Sequence, residues 1–168
     1  DDTFSQQNKL TASDLGEYNY FGWSVSINGD HAVVGSIDNP YGFGGDGPSV
    51  GSVYHFTRLG GTWAQTDQQK INTPGTDDYF GGAVAVSQSH FIVGAVAEDN
   101  QGISESGASY IYSIGTGVDP APSIETALKI TASDAAEDDW FGKSVSIDGD
   151  GGGSNSGSAY IFKRSGTF

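Results

Sequence analysis

The sequence predicts an all-β protein, a β-propeller built from four-stranded antiparallel blades, and three observations carry that prediction. The 168 residues include 26 Gly and only five Pro, with no strongly periodic helical stretch, a profile of short strands joined by many turns. One stretch is written three times, as "YFGWSVSINGD" (Tyr20 to Asp30), "YFGGAVAVSQS" (Tyr79 to Ser89) and "WFGKSVSIDGD" (Trp140 to Asp150). Two further landmarks keep the same order around it. "GSVYHF" (Gly51 to Phe56), "GASYIY" (Gly107 to Tyr112) and "GSAYIF" (Gly157 to Phe162) follow it, and "NKLTASD", "QKINTPG" and "LKITASD" precede it. The Phe-Gly pairs begin at Phe21, Phe80 and Phe141, 59 and 61 residues apart, a period that belongs to propeller blades or solenoid turns.

Each element of a unit follows from local pattern. "FGWSVSI" alternates, with Phe21, Trp23, Val25 and Ile27 on one face and Ser24 and Ser26 on the other. Large against small predicts a first strand covered on both faces by neighbouring sheets. Asn28-Gly29 and Asp148-Gly149 supply residues that a two-residue hairpin prefers. "HAVVG" (His31 to Gly35) and "HFIVG" (His90 to Gly94) read as short apolar second strands, and "GSVYHFTR" as a third. "LGG" (Leu59 to Gly61) then turns the chain into a more polar fourth strand, "TWAQTDQQKI". Four antiparallel strands with polarity rising outward describe one blade.

The units run over about residues 11–71, 72–130 and 131–168. Residues 1–10 resemble the fourth strand and are expected to complete another blade, protecting its edge. The third unit is incomplete. From Phe-Gly to the next landmark there are 30 residues in the first copy, 27 in the second and 16 in the third, so the "HAVVG" strand is missing. Its loss would leave unpaired backbone donors in that blade, so either another segment supplies the strand or residues are absent from the sequence as given, and absence is favoured because "DGDGGGSNSGS" reads like two loop ends abutted. Three blades are fewer than the ~4–8 of a closed ring, so closure calls for further blades, for two chains, or for a polymer in which each chain donates its first strand.

Composition excludes several functions. A formal charge of −14 repels nucleic acid. The chain has no Cys, hence neither disulfides nor a thiolate metal site. No apolar run approaches the ~18 residues that span a bilayer. The first residue is Asp1 and no leader segment is read, which suggests a processed or excerpted chain.

With these residues in view, the order "FG…VVG…GS-Y-F" preceded by "KLTASD" resembles the FG-GAP repeat, the blade unit of integrin-α-type propellers, over nearly the whole chain. The resemblance implies a propeller, an extracellular or cell-surface setting, and roles in adhesion or assembly without catalysis. It also implies a calcium loop between first and second strands, of the form D-x-[DN]-x-D-G-x-x-D. Here that loop is cut to Asn28-Gly29-Asp30 and Asp148-Gly149-Asp150, too short for the 6–8 oxygens calcium takes.

Other acidic loops are candidate Ca2+ sites: Asp134, Glu137, Asp138 and Asp139 before the third Phe-Gly, and Asp77 and Asp78 before the second. Glu98, Asp99, Asn100 and Glu105 form another acidic stretch. No cofactor other than calcium is expected. "GFGGDG" (Gly42 to Gly47) lies between strands with no helix to follow, so it lacks the context of a phosphate loop. His31, His55 and His90 sit within strands without ligand spacing, and no G-x-S-x-G elbow is present. The reading that follows is a non-catalytic extracellular module for assembly or adhesion, polymerising through its N-terminal strand. Its partners are then a homo-oligomer, a filament or a surface protein. The alternative is a calcium-assisted module that binds glycan or protein with loops on one face, with Trp23, Trp63 and Trp140 as candidate sugar-stacking residues.

Overall fold

The computed structural model describes residues 3–14, 19–37, 50–69, 77–115 and 127–148, with 158–161 described as backbone. Among these the protein is all-β. The first blade holds β1 (Ser24–Asn28), β2 (His31–Ser36), β3 (Ser52–Leu59) and β4 (Thr62–Gln69), antiparallel and in that spatial order. The second repeats it with β5 (Phe80–Val86), β6 (His90–Ala95), β7 (Ala108–Ser113) and β8 (Leu128–Ile130). In the third, β9 (Val145–Asp148) pairs with β10 (Ser158–Ile161).

That last pairing shows how the described part of the short unit is arranged. The gap left by the missing "HAVVG" strand is closed by β10, which pairs straight onto β9 from Ser158 opposite Asp148 to Ile161 opposite Val145. The first hairpin also differs by one position. Asn28 pairs with His31, so the loop is Gly29-Asp30, and of the two only Gly29 has positive φ (56°), as in a type II′ turn. Between β3 and β4, Leu59 pairs with Thr62 around Gly60 (58°) and Gly61 (83°), the pattern of type I′.

The repeated Phe-Gly is a turn rather than part of the strand in the first copy. The N–H groups of Trp23, Gly82 and Lys143 donate to the carbonyls of Tyr20, Tyr79 and Trp140 at 3.0, 3.0 and 3.1 Å. Gly occupies the third position of each turn with φ of 94°, 89° and 90°, where type II geometry demands it. This turn sets one blade on the preceding one. Phe80 bridges to Gly51 and Phe141 to Gly107, so the Phe-Gly of one blade meets the Gly-Ser or Gly-Ala of its neighbour. A Cβ on Gly51 would stand 1.8 Å from the Phe80 carbonyl oxygen, and one on Gly107 2.3 Å from that of Phe141. Only glycine admits so close an approach.

The core lies between the blades. Phe80, Phe91, Val93 and Val86 of the second blade are buried against Val33 and Val53 of the first. Such burial contributes about 1.5–3 kcal/mol for each large side chain. A smaller cluster (Ala32, Val34, Tyr54 and Phe56) is covered by Leu10, Ala12 and Phe21. Asp14 ties this covering segment down by accepting from the Tyr54 hydroxyl at 2.9 Å and from the Gln68 amide at 2.9 Å.

The small face of β1, not the large one, is the face turned to the next blade. The Ser24 hydroxyl donates to the Gly81 carbonyl at 2.7 Å, and Ser26 Oγ accepts from the Val86 N–H at 3.1 Å. On the other face Val25 and Ile27 are 68% and 66% exposed, so β1 is not covered on both sides. Val86, the counterpart of Ile27 in β5, is 5% exposed because it has a blade to lie on. Residues 3–9 are exposed and carry no strand of their own, and Phe4 stands fully in solvent.

Candidate functional site

Where the three Phe-Gly turns come together, the described surface opens into a hollow of about 450 Å³. Trp23 of the first blade and Trp140 of the third form parts of its wall, with Tyr79 and Gly82 of the second. The residue after each Phe-Gly pair is Trp23, Gly82 or Lys143. The middle blade therefore places no side chain at that position of the wall.

Several contacts fix the rim. The Trp140 indole N–H donates to Glu105 Oε2 at 2.9 Å, while the Lys143 ammonium lies 4.3 Å from the centre of the Trp140 ring. Tyr20 meets Trp23 edge-on at 6.5 Å. Glu105 belongs to the loop between β6 and β7, and its backbone N–H donates to Asp99 Oδ1 at 2.9 Å. The carbonyls of Ser104, Glu105 and Ser106 in turn accept from the N–H groups of Asp138, Trp140 and Phe141. Two half-exposed indoles, one carboxylate and one ammonium thus border an apolar recess. That arrangement can stack on a ring or take up an apolar group, and it has the wall composition of a binding pocket.

The acidic residues read from the sequence have other placements. Asp77 and Asp138 occupy equivalent positions, with φ of 67° and 60°. Asp is among the residues that tolerate this left-handed region. Asp78 is buried, whereas Asp139 is partly buried and accepts the Ala136 N–H at 2.8 Å, closing its own turn. Asp134 and Glu137 are exposed. Among the described residues no three His, Asp or Glu side chains converge as metal ligands. Asp77 and Asp78 belong to the approach to β5, and the other four to the turn leading into the third blade.

Glu98 and Asn100 are buried. Glu98 accepts the Tyr110 hydroxyl at 2.8 and 2.7 Å and pairs with Lys129 at 2.5 Å, which anchors the short β8 to β7. Burial, reinforced by the hydrogen bond and charge of Glu98, holds the Tyr110 hydroxyl far above its ordinary pKa, so it stays a donor.

The histidines are brought together more closely than their spacing implies. His31 Nδ1 lies 3.1 Å from His55 Nε2, and the rings stack at 5.3 Å. His55 stacks onward on Phe91, and Phe91 on Tyr112. His55 is fully buried, and burial together with the nearby His31 charge pushes its pKa down to about 4, against a smaller opposing pull from Asp67. Burial also lowers His31, with Asp30 opposing. Both therefore stay neutral near pH 7 as parts of the inter-blade core. "GFGGDG" lies outside the described residues. Of the three tryptophans, Trp63 packs at the smaller cluster with Arg58 over its ring at 5.3 Å, away from the hollow.

Sequence reasoning named Trp23 and Trp140 but not their juxtaposition, nor Lys143, Tyr79 and Gly82. The available signal was the residue after each Phe-Gly, which varies while its surroundings repeat.

No described helix is long and apolar enough to cross a membrane. The profile of the FG-GAP repeat matches the chain in three segments, residues 4–56, 66–112 and 125–162, one for each blade. No curated protein matches it.

Proposed function

The chain belongs to the FG-GAP repeat family, and we propose that it serves as a non-catalytic extracellular propeller module acting through surface contact, in structural assembly or adhesion. The observation that carries this reading is the distribution of its polar and apolar groups. Polar groups that could do chemistry, such as His55, Glu98 and Tyr110, are engaged in core contacts, while Val25, Ile27, Trp23 and Trp140 face solvent. Exposed apolar patches of this kind mark sites of association.

The test is a surface coated with the protein and probed with the soluble chain, with a glycan array and with extracellular matrix proteins. Capture of at least one class, lowered tenfold or more by Val25→Asp or Trp140→Ser, is expected. No capture at micromolar concentration would refute the reading.

A second reading, recognition of a glycan in the hollow, is favoured by Trp23 and Trp140 lining it together with Gly82. It predicts array hits that vanish in Gly82→Trp, a change that fills the recess at a position whose φ is not in the left-handed region. Calcium held near Asp134, Glu137, Asp138 and Asp139, or near Asp77 and Asp78, would make that binding sensitive to EDTA.

A further inference from the structure

The hollow at the Phe-Gly turns combines three properties that together select one class of ligand. The first is aromatic surface. Trp23, Tyr79 and Trp140 all contribute to its wall, one from each blade, and the two indoles are 51% and 41% exposed. Tyr79 and Trp140 open their turns and Trp23 closes its own, so the repeat itself brings the three rings to one place. At about 450 Å³ the hollow lies within the range of small-molecule sites.

The second property is the sign of the charge around the hollow. Glu105 is the one carboxylate among the described residues of the wall. Asp77 and Asp78 directly precede Tyr79, Asp138 and Asp139 directly precede Trp140, and Asp99 Oδ1 accepts the Glu105 backbone N–H at 2.9 Å. Against these acids stands Lys143, the one basic residue among the described residues of the wall. The chain as a whole carries −14. A field of this sign concentrates cations at the recess and repels anions.

The third property is a shortage of hydrogen-bond acceptors. Ile37, Val96 and Ala97 line the hollow beside the rings, and Glu105 Oε2 already accepts the Trp140 indole N–H at 2.9 Å. A primary ammonium carries three N–H donors, and burial costs it free energy wherever water is stripped from them without replacement. Lys143 shows the consequence: its ammonium rests 4.3 Å from the centre of the Trp140 ring while the side chain stays exposed. A cation with methyl groups in place of N–H donors has no such need. It offers apolar surface to Ile37, Val96 and Ala97 and positive charge to the rings.

We propose that the hollow binds a quaternary ammonium group, the trimethylammonium head of a choline-type molecule, against Trp23, Tyr79 and Trp140, with the Glu105 carboxylate as its counter-charge. Aromatic walls are the arrangement that recognises such cations. Lys143 is then a competitor, since it holds the same Trp140 ring with the same sign of charge. Its removal strengthens the site. A sugar makes the reverse demand, because Lys143 would be an anchor for its carboxylate or hydroxyl groups. This assignment rests on the recess of the glycan reading and gives it a ligand of another class.

The test titrates the chain with choline and with tetramethylammonium, read by calorimetry and by tryptophan fluorescence. The control is the uncharged alcohol that has carbon in place of the choline nitrogen. Both cations are expected to bind saturably below about 10 mM, and choline at least about tenfold more tightly than the alcohol. Raising sodium chloride from ~0.01 to ~0.1 M should weaken the binding by screening the acids. Glu105→Gln, which keeps an oxygen for the Trp140 indole, should weaken it at least about threefold, and Lys143→Gln should strengthen it at least about threefold. Partial unfolding lowers affinity in every variant, so it does not produce these opposite directions. Equal binding of choline and the alcohol, weaker binding in Lys143→Gln, or no cation binding would each overturn the inference. If glycan hits that vanish in Gly82→Trp are then still found, the recess reading stands without it; if they are not, both fall.

Discussion

The His31–His55 pair makes the blade-to-blade core sensitive to mild acid, with a magnitude the structure supplies. His55 is fully buried between the first and second blades and titrates near pH 4, against 6.5 for a free histidine. The sign follows from linkage: the unfolded chain binds the proton more readily, so stability is complete above about pH 6.5 and falls as pH falls, levelling off below about 4. A tenfold difference in proton affinity between folded and unfolded chain corresponds to about 1.4 kcal/mol, and between pH 7 and pH 5 the loss from His55 alone comes to about 2 kcal/mol. For a chain of this size that lowers the melting temperature by roughly 4–8 °C. His31 adds in the same direction, since burial lowers it too. Asp67 beside His55 and Asp30 beside His31 each pull the neighbouring ring's pKa upward without cancelling the effect of burial. The assay is urea unfolding followed by circular dichroism at pH 7, 6 and 5, for the wild type and for His55→Phe. The variant keeps a flat ring between His31 and Phe91 and gives up the bonds to His31 and Thr66. It should be less stable at pH 7 and show a shallower pH dependence over the window, the part due to His31 remaining. A wild type that changes by less than about 0.5 kcal/mol between pH 7 and pH 5, or a His55→Phe variant with the full wild-type slope, would refute the reasoning.

Two other substitutions separate the parts of the blade contact. Gly51→Ala and Gly22→Ala both place a Cβ at positive φ (81° and 94°), but only the first also drives it to 1.8 Å from a carbonyl oxygen. Gly22→Ala should cost about 1–2 kcal/mol and Gly51→Ala at least about 3, by thermal melting; equal costs would mean the blades do not approach as described. Ser109→Ala should be neutral or stabilising by about 1 kcal/mol, because the Ser109 hydroxyl is buried without a hydrogen-bond partner among the described residues. A loss above about 1 kcal/mol in denaturant titration would show that the hydroxyl has a partner after all.

The strands were legible because each carries two independent signals, alternation along the strand and a turn residue at its end. Gly60-Gly61 and the "HFIVG" run could be placed from these alone. Which face of β1 is covered could not. Alternation separates Val25 and Ile27 from Ser24 and Ser26 but does not say which set has a neighbour. That depends on the Ser24 hydroxyl donating to, and Ser26 Oγ accepting from, backbone groups about sixty positions away. The pairing in the third blade was not legible for a related reason. Strand count was inferred from the other units, while β10 pairs with whatever edge is nearest, here β9. At the candidate site the two tryptophans stood out by size, whereas Gly82 was invisible because it acts by lacking a side chain. The acidic residues drew a metal reading from their charge. In Asp77 and Asp138 the backbone conformation supplies a reason of its own, positive φ at equivalent places in two blades.

These details change what the repeat encodes. Read as strands, the Phe-Gly and Gly-Ser landmarks are two unrelated decorations of one blade. In the structure they are the two sides of a single joint, with the Phe-Gly turns of the second and third blades pressed on the glycine of the blade before each. A joint written into each unit selects its neighbour without any residue special to one blade, so the same chemistry suits an internal contact and a contact between molecules equally. The cost of leaving one side open is concrete: Val25 and Ile27 in water forgo about 1.5–3 kcal/mol apiece relative to full burial. Acidic charge over the rest of the surface opposes indiscriminate contact, which leaves shape at this joint as the selective element.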